Sequence, residues 1–111
     1  MDTELVKGTL SLLILSLLSR KPMYGYEIAA TVHRDTKGAF TWREGSLYPS
    51  LHKMQADGLI VGEWEEKESG RKRRYYHITK KGRVALSEKV QSWTELCHAV
   101  NLILENPNGQ A

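Results

Sequence analysis

A chain of 111 residues, 41% of them apolar and 26% charged, can fold as one domain with one modest core and is too apolar to be disordered. Its single cysteine, Cys97, excludes an internal disulfide and any cysteine-based zinc spacing, and fits a reducing cytoplasm, the expected location. The net charge of +3 is unevenly spread. Residues 67–83 hold Lys67, Arg71, Lys72, Arg73, Arg74, Lys80, Lys81 and Arg83 against Glu68, a local charge near +7 that leaves the remainder near −4. Such a cluster suggests a polyanion met at one place. A solvated loop is the plainer reading of charge alone, and the neighbouring helix decides between them.

In chain order, the run from Leu10 to Leu18 is strongly apolar but too short to cross a bilayer, which needs about 20 residues. Asp2 and Glu4 stand where a signal peptide would be positive, and no small-residue cleavage site follows. The run predicts a helix over residues 4–19, apolar nearly all round. One face is expected in the chain's own core and another, with Leu10, Leu13 and Leu17, against a partner subunit. Pro22 disfavours helical geometry at Lys21 and ends it. A second helix is predicted over residues 23–33, with Ile28 and Val32 on its buried face and Ala29 beside them. The hydroxyls of Tyr24 and Tyr26 can reach phosphate or plug the gap between helices, the second reading being at least as strong for Tyr26. Residues 35–44 connect onward, and Phe40 and Trp42 predict a short strand there that caps a small sheet.

Residues 45–79 organise the rest. Ser46 is a good N-cap residue, Pro49 falls in the first turn where its missing N–H costs nothing, and Gly58 suits the left-handed residue that ends a helix. Between them Leu47, Leu51 and Met54 define one buried face. Tyr48, Ser50, His52, Lys53 and Gln55 lie on the other, which is rich in hydrogen-bonding groups and carries one full charge. Residues 59–66 and 73–78 then read as strands joined by a turn over 67–72. A short polar-faced helix followed by a hairpin with a basic tip is a winged-helix layout. The helix would enter a major groove and the tip would reach the adjacent backbone or minor groove.

Thr79 is a suitable N-cap for a long helix over residues 80–105. Leu86, Val90, Trp93, Cys97, Val100 and Leu104 recur at steps of four and three, a heptad seam widened by Leu96 and Ile103. At about 38 Å, such a helix is longer than the rest of so small a domain can cover, so part of the seam is expected to meet another chain. The chain therefore divides into a DNA-binding winged helix-turn-helix over 1–79 and a dimerisation helix with a short tail over 80–111. Its fold class is mainly α with a small β-hairpin wing.

Several segments carry a family resemblance: Met23-Tyr24-Gly25-Tyr26-Glu27-Ile28, the run from Gly45 to Met54, Asp57-Gly58-Leu59-Ile60, the run from Arg73 to Thr79, and Lys81-Gly82. Together they resemble the PadR family of winged-helix transcriptional regulators, in its short form with a single C-terminal helix. The resemblance covers nearly the whole chain. It implies a homodimeric repressor whose first and last helices build the dimer interface. It also implies that a flat aromatic effector can sit between paired tryptophans of the last helix, where Trp93 stands in Gln91-Ser92-Trp93-Thr94-Glu95.

The expected DNA-contacting residues are Tyr24, Ser46, Tyr48, Ser50, His52, Lys53, Arg71, Lys72 and Arg73, on a palindromic duplex. Trp93 is the candidate effector residue, against the alternative that it is only packed. Leu10, Leu13, Leu17, Leu86, Val90, Trp93, Cys97, Val100 and Leu104 are the candidate dimer interface. No catalytic residue, metal ligand, cofactor or membrane contact is expected. His33, His52, His77 and His98 lack helical metal spacing, no glycine-rich phosphate loop or Gly-X-Ser-X-Gly turn occurs, and Cys97 sits in an apolar seam. Two binding alternatives remain: a winged helix used only for protein contacts, which the basic wing disfavours, and RNA binding, for which Tyr75 and Tyr76 are more simply wing packing.

Overall fold

A computed structural model describes residues 3–106 and 108–109. Its central element is α1 (Thr3–Leu18). Ile14 and Leu15 are completely buried, and Leu10, Leu17 and Leu18 nearly so. The helix is apolar on several sides because it is surrounded by α2 (Gly25–Asp35), α3 (Glu44–Ala56), the sheet and α4 (Lys80–Leu104). Leu10 and Leu17, expected at a subunit interface, thus already lie in the core of their own chain. Leu13 packs at its edge.

The sheet has three antiparallel strands in the order β1 (Met23–Tyr24), β3 (Lys72–Ile78), β2 (Ile60–Glu66). Here two expectations fail. Residues 23–24 do not begin a helix; they pair with β3 as Met23↔Tyr76 and Tyr24↔Tyr75. Phe40 and Trp42 form no strand. The edge of β3 away from β2 is taken by β1, and Trp42 pairs with neither of the two outer strands. It is buried in the core instead, its ring 6.5 Å from that of Phe40. Its indole Nε1 is buried without a hydrogen-bond partner among the described residues.

The start of α3 also differs. Arg43 is the N-cap, without a side-chain hydrogen bond, and Ser46 lies inside the helix. Pro49 is consequently internal, and the Gly45 carbonyl, four residues earlier, loses its usual intrahelical donor. The other end is as expected. Gly58 has φ +76°, Leu59 N–H donates to the Met54 carbonyl at 2.9 Å, and Gly58 N–H donates to the Gln55 carbonyl at 3.0 Å.

At the start of α4 the Thr79 hydroxyl accepts from Gly82 N–H at 3.0 Å and donates to the Gly58 carbonyl at 2.7 Å. Lys81 Nζ reaches the Asp57 carbonyl at 2.7 Å, so a cation closes the C-terminal end of α3. Gly82 is required by contact: a Cβ there would run into the Leu59 carbonyl oxygen. Ala85 and Leu86 still pack on the core, but beyond them α4 exposes Val90, Trp93, Leu96, Val100, Leu102, Ile103 and Leu104. The molecule measures 63 × 29 × 21 Å.

Candidate nucleic-acid interface

The core-facing residues of α3 are Leu47, Leu51 and Met54. This places Tyr48 and His52, four residues apart, on the flank that faces the hairpin. Tyr48 lies across the start of α2. A Cβ on Gly25 would stand 2.8 Å from its ring Cζ, so the glycine makes room for this tyrosine. Between this flank and the hairpin runs an open groove of about 690 Å³, lined by Tyr48 and His52 of α3 and by Tyr24, Arg71, Lys72, Arg73 and Arg74 of the sheet and its turn. Six of the nine expected DNA-contacting residues therefore share one concave surface.

The other three lie apart. Ser50 and Lys53 turn to the opposite flank of α3, where a second groove of about 240 Å³ also has Lys7 and Lys89 in its wall. Ser46 is exposed in the first turn of α3.

The wing is organised by its own rings. Cross-strand pairing puts Tyr24, Tyr75 and Arg73 on one face of the sheet. The Arg73 guanidinium carbon stands 4.2 Å from the Tyr24 ring centre, and Lys67 Nζ 4.4 Å from that of Tyr75. Both are cation–π contacts. Tyr24 meets Tyr75 edge-on at 5.4 Å. Tyr26 is 74% exposed, so it does not plug a gap between helices. The tip turns at Gly70, φ +78°, whose N–H donates to the Lys67 carbonyl at 2.8 Å.

On the same face His77 Nε2 lies 3.1 Å from a Glu65 oxygen and 3.7 Å from a Glu63 oxygen. These three are the group among the described residues whose donor atoms, all within 4.8 Å, are close enough together to hold a metal ion. Glu65 is already paired with Lys67 at 3.5 Å and hydrogen-bonded to His77, and Glu63 is open to solvent, so the arrangement is satisfied without an ion. Burial pushes the Tyr76 phenol up from its ordinary pKa, against the opposing pull of the Arg74 guanidinium. That pairing of Arg74 with the buried side of the sheet was not visible in the basic run of the sequence. The signal available was the alternation of strand residues, which sends neighbouring Arg73 and Arg74 to opposite faces.

Trp93 is 45% exposed and, with Leu12 and Leu96, lines a shallow groove of about 400 Å³ between α1 and α4. Val90, Val100 and Leu104 are exposed on α4, while Cys97 is half-buried and Leu86 packs against the core. None of the described helices is long and apolar enough to cross a membrane.

Comparison with known proteins places this geometry. The chain is 32% identical over 103 residues to an uncharacterized protein of Lysinibacillus sphaericus, covering 93% of this chain and 94% of that one. It is 34% identical over 88 residues to the transcriptional regulator YqjI of Escherichia coli, covering 79% of this chain but 37% of that longer protein. Among solved structures, a PadR-like transcriptional regulator from Bacillus cereus superposes with a TM-score of 0.81 at 38% identity, over 92% of this chain and 97% of that one. A transcriptional regulator from Clostridium thermocellum superposes with a TM-score of 0.83 at 27% identity, over 91% and 95%. Residues 14–88, from the middle of α1 into α4, match the transcriptional regulator PadR-like family, a family of regulators and not of enzymes. With a winged-helix fold, a basic hairpin and a match spanning most of the chain, this protein belongs to the PadR-like family of transcriptional regulators.

Proposed function

We propose that the protein is a homodimeric, sequence-specific reader of double-stranded DNA that acts as a repressor at a palindromic site. The observation that carries this reading is the single groove in which the polar flank of α3, with Tyr48 and His52, faces the cations Arg71, Lys72 and Arg73. In it the helix supplies hydrogen-bonding groups to base edges and the wing supplies phosphate contacts. Ser46, Ser50 and Lys53 extend the contact along α3 to the next phosphates. The dimer rests on α4, whose exposed Val90, Trp93, Leu96 and Val100 form an apolar stripe that a second copy covers. Dimerisation would set two α3 helices about one helical turn of DNA apart.

Release from DNA is assigned to a planar aromatic effector at Trp93. The groove beside it is shallow within one chain, and a second Trp93 across the two-fold axis would close it into a slot with flat apolar walls. Only a ligand with different affinity for the DNA-competent and incompetent arrangements shifts the balance. An adaptor that uses the winged helix for protein contacts alone is the competing reading, and it leaves the basic groove without a role.

The test is selection of bound duplexes from a random pool. A palindromic consensus is expected. Replacing Arg71, Lys72 and Arg73 with Ala should weaken binding to all duplexes and flatten the salt dependence by about 0.9 per lost phosphate contact, while His52→Ala should alter the consensus. A pool that emerges without enrichment would overturn the reading in favour of the adaptor.

A further inference from the structure

Arg74 lines the same groove as the other wing cations Arg71, Lys72 and Arg73, but strand alternation sets it, with Lys72, on the sheet face opposite Arg73. Pairing of β2 with β3 sets Arg74 opposite Trp64 and Tyr76 opposite Gly62, on the sheet face that also carries the buried Ile60. Its guanidinium crosses directly over Gly62. A Cβ at that position would fall against Arg74 Nε and stand 3.0 Å from Cζ, so the missing side chain is the space the arginine occupies. Past the glycine, Arg74 Nη2 donates to Gln55 Oε1 at 3.1 Å in a partly buried hydrogen bond. Gln55 belongs to the last turn of α3. The Trp64 ring centre lies 6.0 Å from the guanidinium, and buried Tyr76 adjoins it.

The position of this contact gives it leverage. Near Ile60 and Tyr76 the hairpin is anchored in the core, but Glu63, Trp64 and residues 66–72 are exposed. Arg74 reaches α3 from the point where the hairpin leaves the core. A guanidinium holds such a geometry better than an ammonium, because its planar array of donors fixes direction as well as distance.

We propose that Arg74 is a positioning residue: through Gln55, and in the space left by Gly62, it fixes the angle between wing and α3 so that both meet one duplex together. This rests on the DNA-reading function proposed above. It differs from the ordinary role of a basic wing residue, which is to neutralise a phosphate.

The test compares Arg74→Met, Arg74→Lys, Gln55→Ala and the Arg74→Met/Gln55→Ala double variant. The first readout is affinity for the selected duplex as a function of salt. Each single variant, lysine included, should weaken binding about tenfold, the double variant no further, and the salt slope should stay that of the wild type. Arg71→Ala, by contrast, should flatten the slope by about 0.9. The second readout needs no DNA. Residual dipolar couplings from the hairpin and from α3 should fit one alignment frame in the wild type and two in Arg74→Met, Arg74→Lys and Gln55→Ala. If Arg74→Met flattens the salt slope as Arg71→Ala does while Gln55→Ala binds normally, Arg74 is a phosphate contact and the proposal is wrong. It is equally wrong if one frame survives in every DNA-free variant. A wild type that selects no duplex would remove the DNA-reading function, and the couplings would still decide whether Arg74 holds the wing.

Discussion

Helices α1 and α4 are both rich in aliphatic residues, yet the fold treats them oppositely. In α1, Ile14 and Leu15 are 0% exposed. In α4, Val90, Trp93, Leu96 and Val100 retain between 45% and 55% of their surface. The difference lies in what surrounds each helix: α1 has α2, α3, β3 and α4 on its sides, whereas α4 past Leu86 has little beyond α1 beside it. An apolar pattern states how much surface must leave water. It does not state whether the same chain or another copy covers it.

The largest test of this contrast is truncation within each helix. Leu15→Ala should destabilise the fold by about 2–5 kcal/mol, because a fully buried site leaves a cavity. Leu96→Ala should instead lower the denaturation midpoint only at concentrations where the wild type is dimeric. Denaturant curves at two protein concentrations separate these outcomes. Equal concentration dependence in both variants would erase the distinction between the helices.

The next effect concerns the near end of α4. Alanine is ordinarily favoured over glycine within a helix by about 1 kcal/mol. Gly82→Ala should nevertheless lower stability by about 1–3 kcal/mol, because its Cβ would meet the Leu59 carbonyl, a backbone atom with little freedom to retreat. A higher melting temperature in this variant would mean that the joint between α4 and the wing is loose.

A smaller effect sharpens the far end. Planar cationic dyes should quench Trp fluorescence in the wild type, with a cation–π contribution of about 0.5–2 kcal/mol. Quenching that persists unchanged in a folded Trp93→Ala dimer would place the ligand elsewhere.

The smallest effect lies on the surface near the end of α1. Hydrogen bonds from Arg20 and then Arg34, at 2.9 and 3.0 Å, hold the Asp35 carboxyl below its ordinary pKa. Because the folded value is the lower one, this contribution is complete above the unfolded carboxylate pKa and disappears as pH falls through the folded value. Asp35→Asn should therefore lower stability slightly in the neutral region, and the difference from the wild type should close as pH falls through the folded value. Exposed ion pairs of this kind are weak. A large loss at neutral pH would show that Arg20 and Asp35 tie α1 to α2 more strongly than surface charges usually do.

The parts of the fold legible in the sequence were those with local causes. Thr79 caps α4, Gly58 ends α3, and Leu47, Leu51 and Met54 mark its buried face, all through interactions within a few residues. What escaped depended on distant partners. Met23–Tyr24 becomes a strand only because β3, some fifty residues later, offers an edge. Trp42 has the composition of a strand residue, but its ring is taken into the core, which more distant residues of the chain build. Ser46 looked like a cap because of its hydroxyl, while the helix starts at Arg43 with no side-chain cap. For the interface, the basic tip and the Tyr48–His52 flank could be read from type and spacing. The separation of Ser50 and Lys53 from that flank, and the inward turn of Arg74, follow from how α3 and the sheet lie against the core.

The joint at Thr79, Lys81 and Gly82 also gives α4 a mechanical character. Through it the start of α4 is fastened to Asp57, Gly58 and Leu59, the residues that end α3 and lead into β2. From that pivot α4 extends over 25 residues, about 38 Å. A tilt of about 5° at the pivot would sweep the far tip through about 3 Å over such a length. Read backwards, the ratio is a reduction gear: motion at the exposed tip arrives at the end of α3 as a small, stiff rotation.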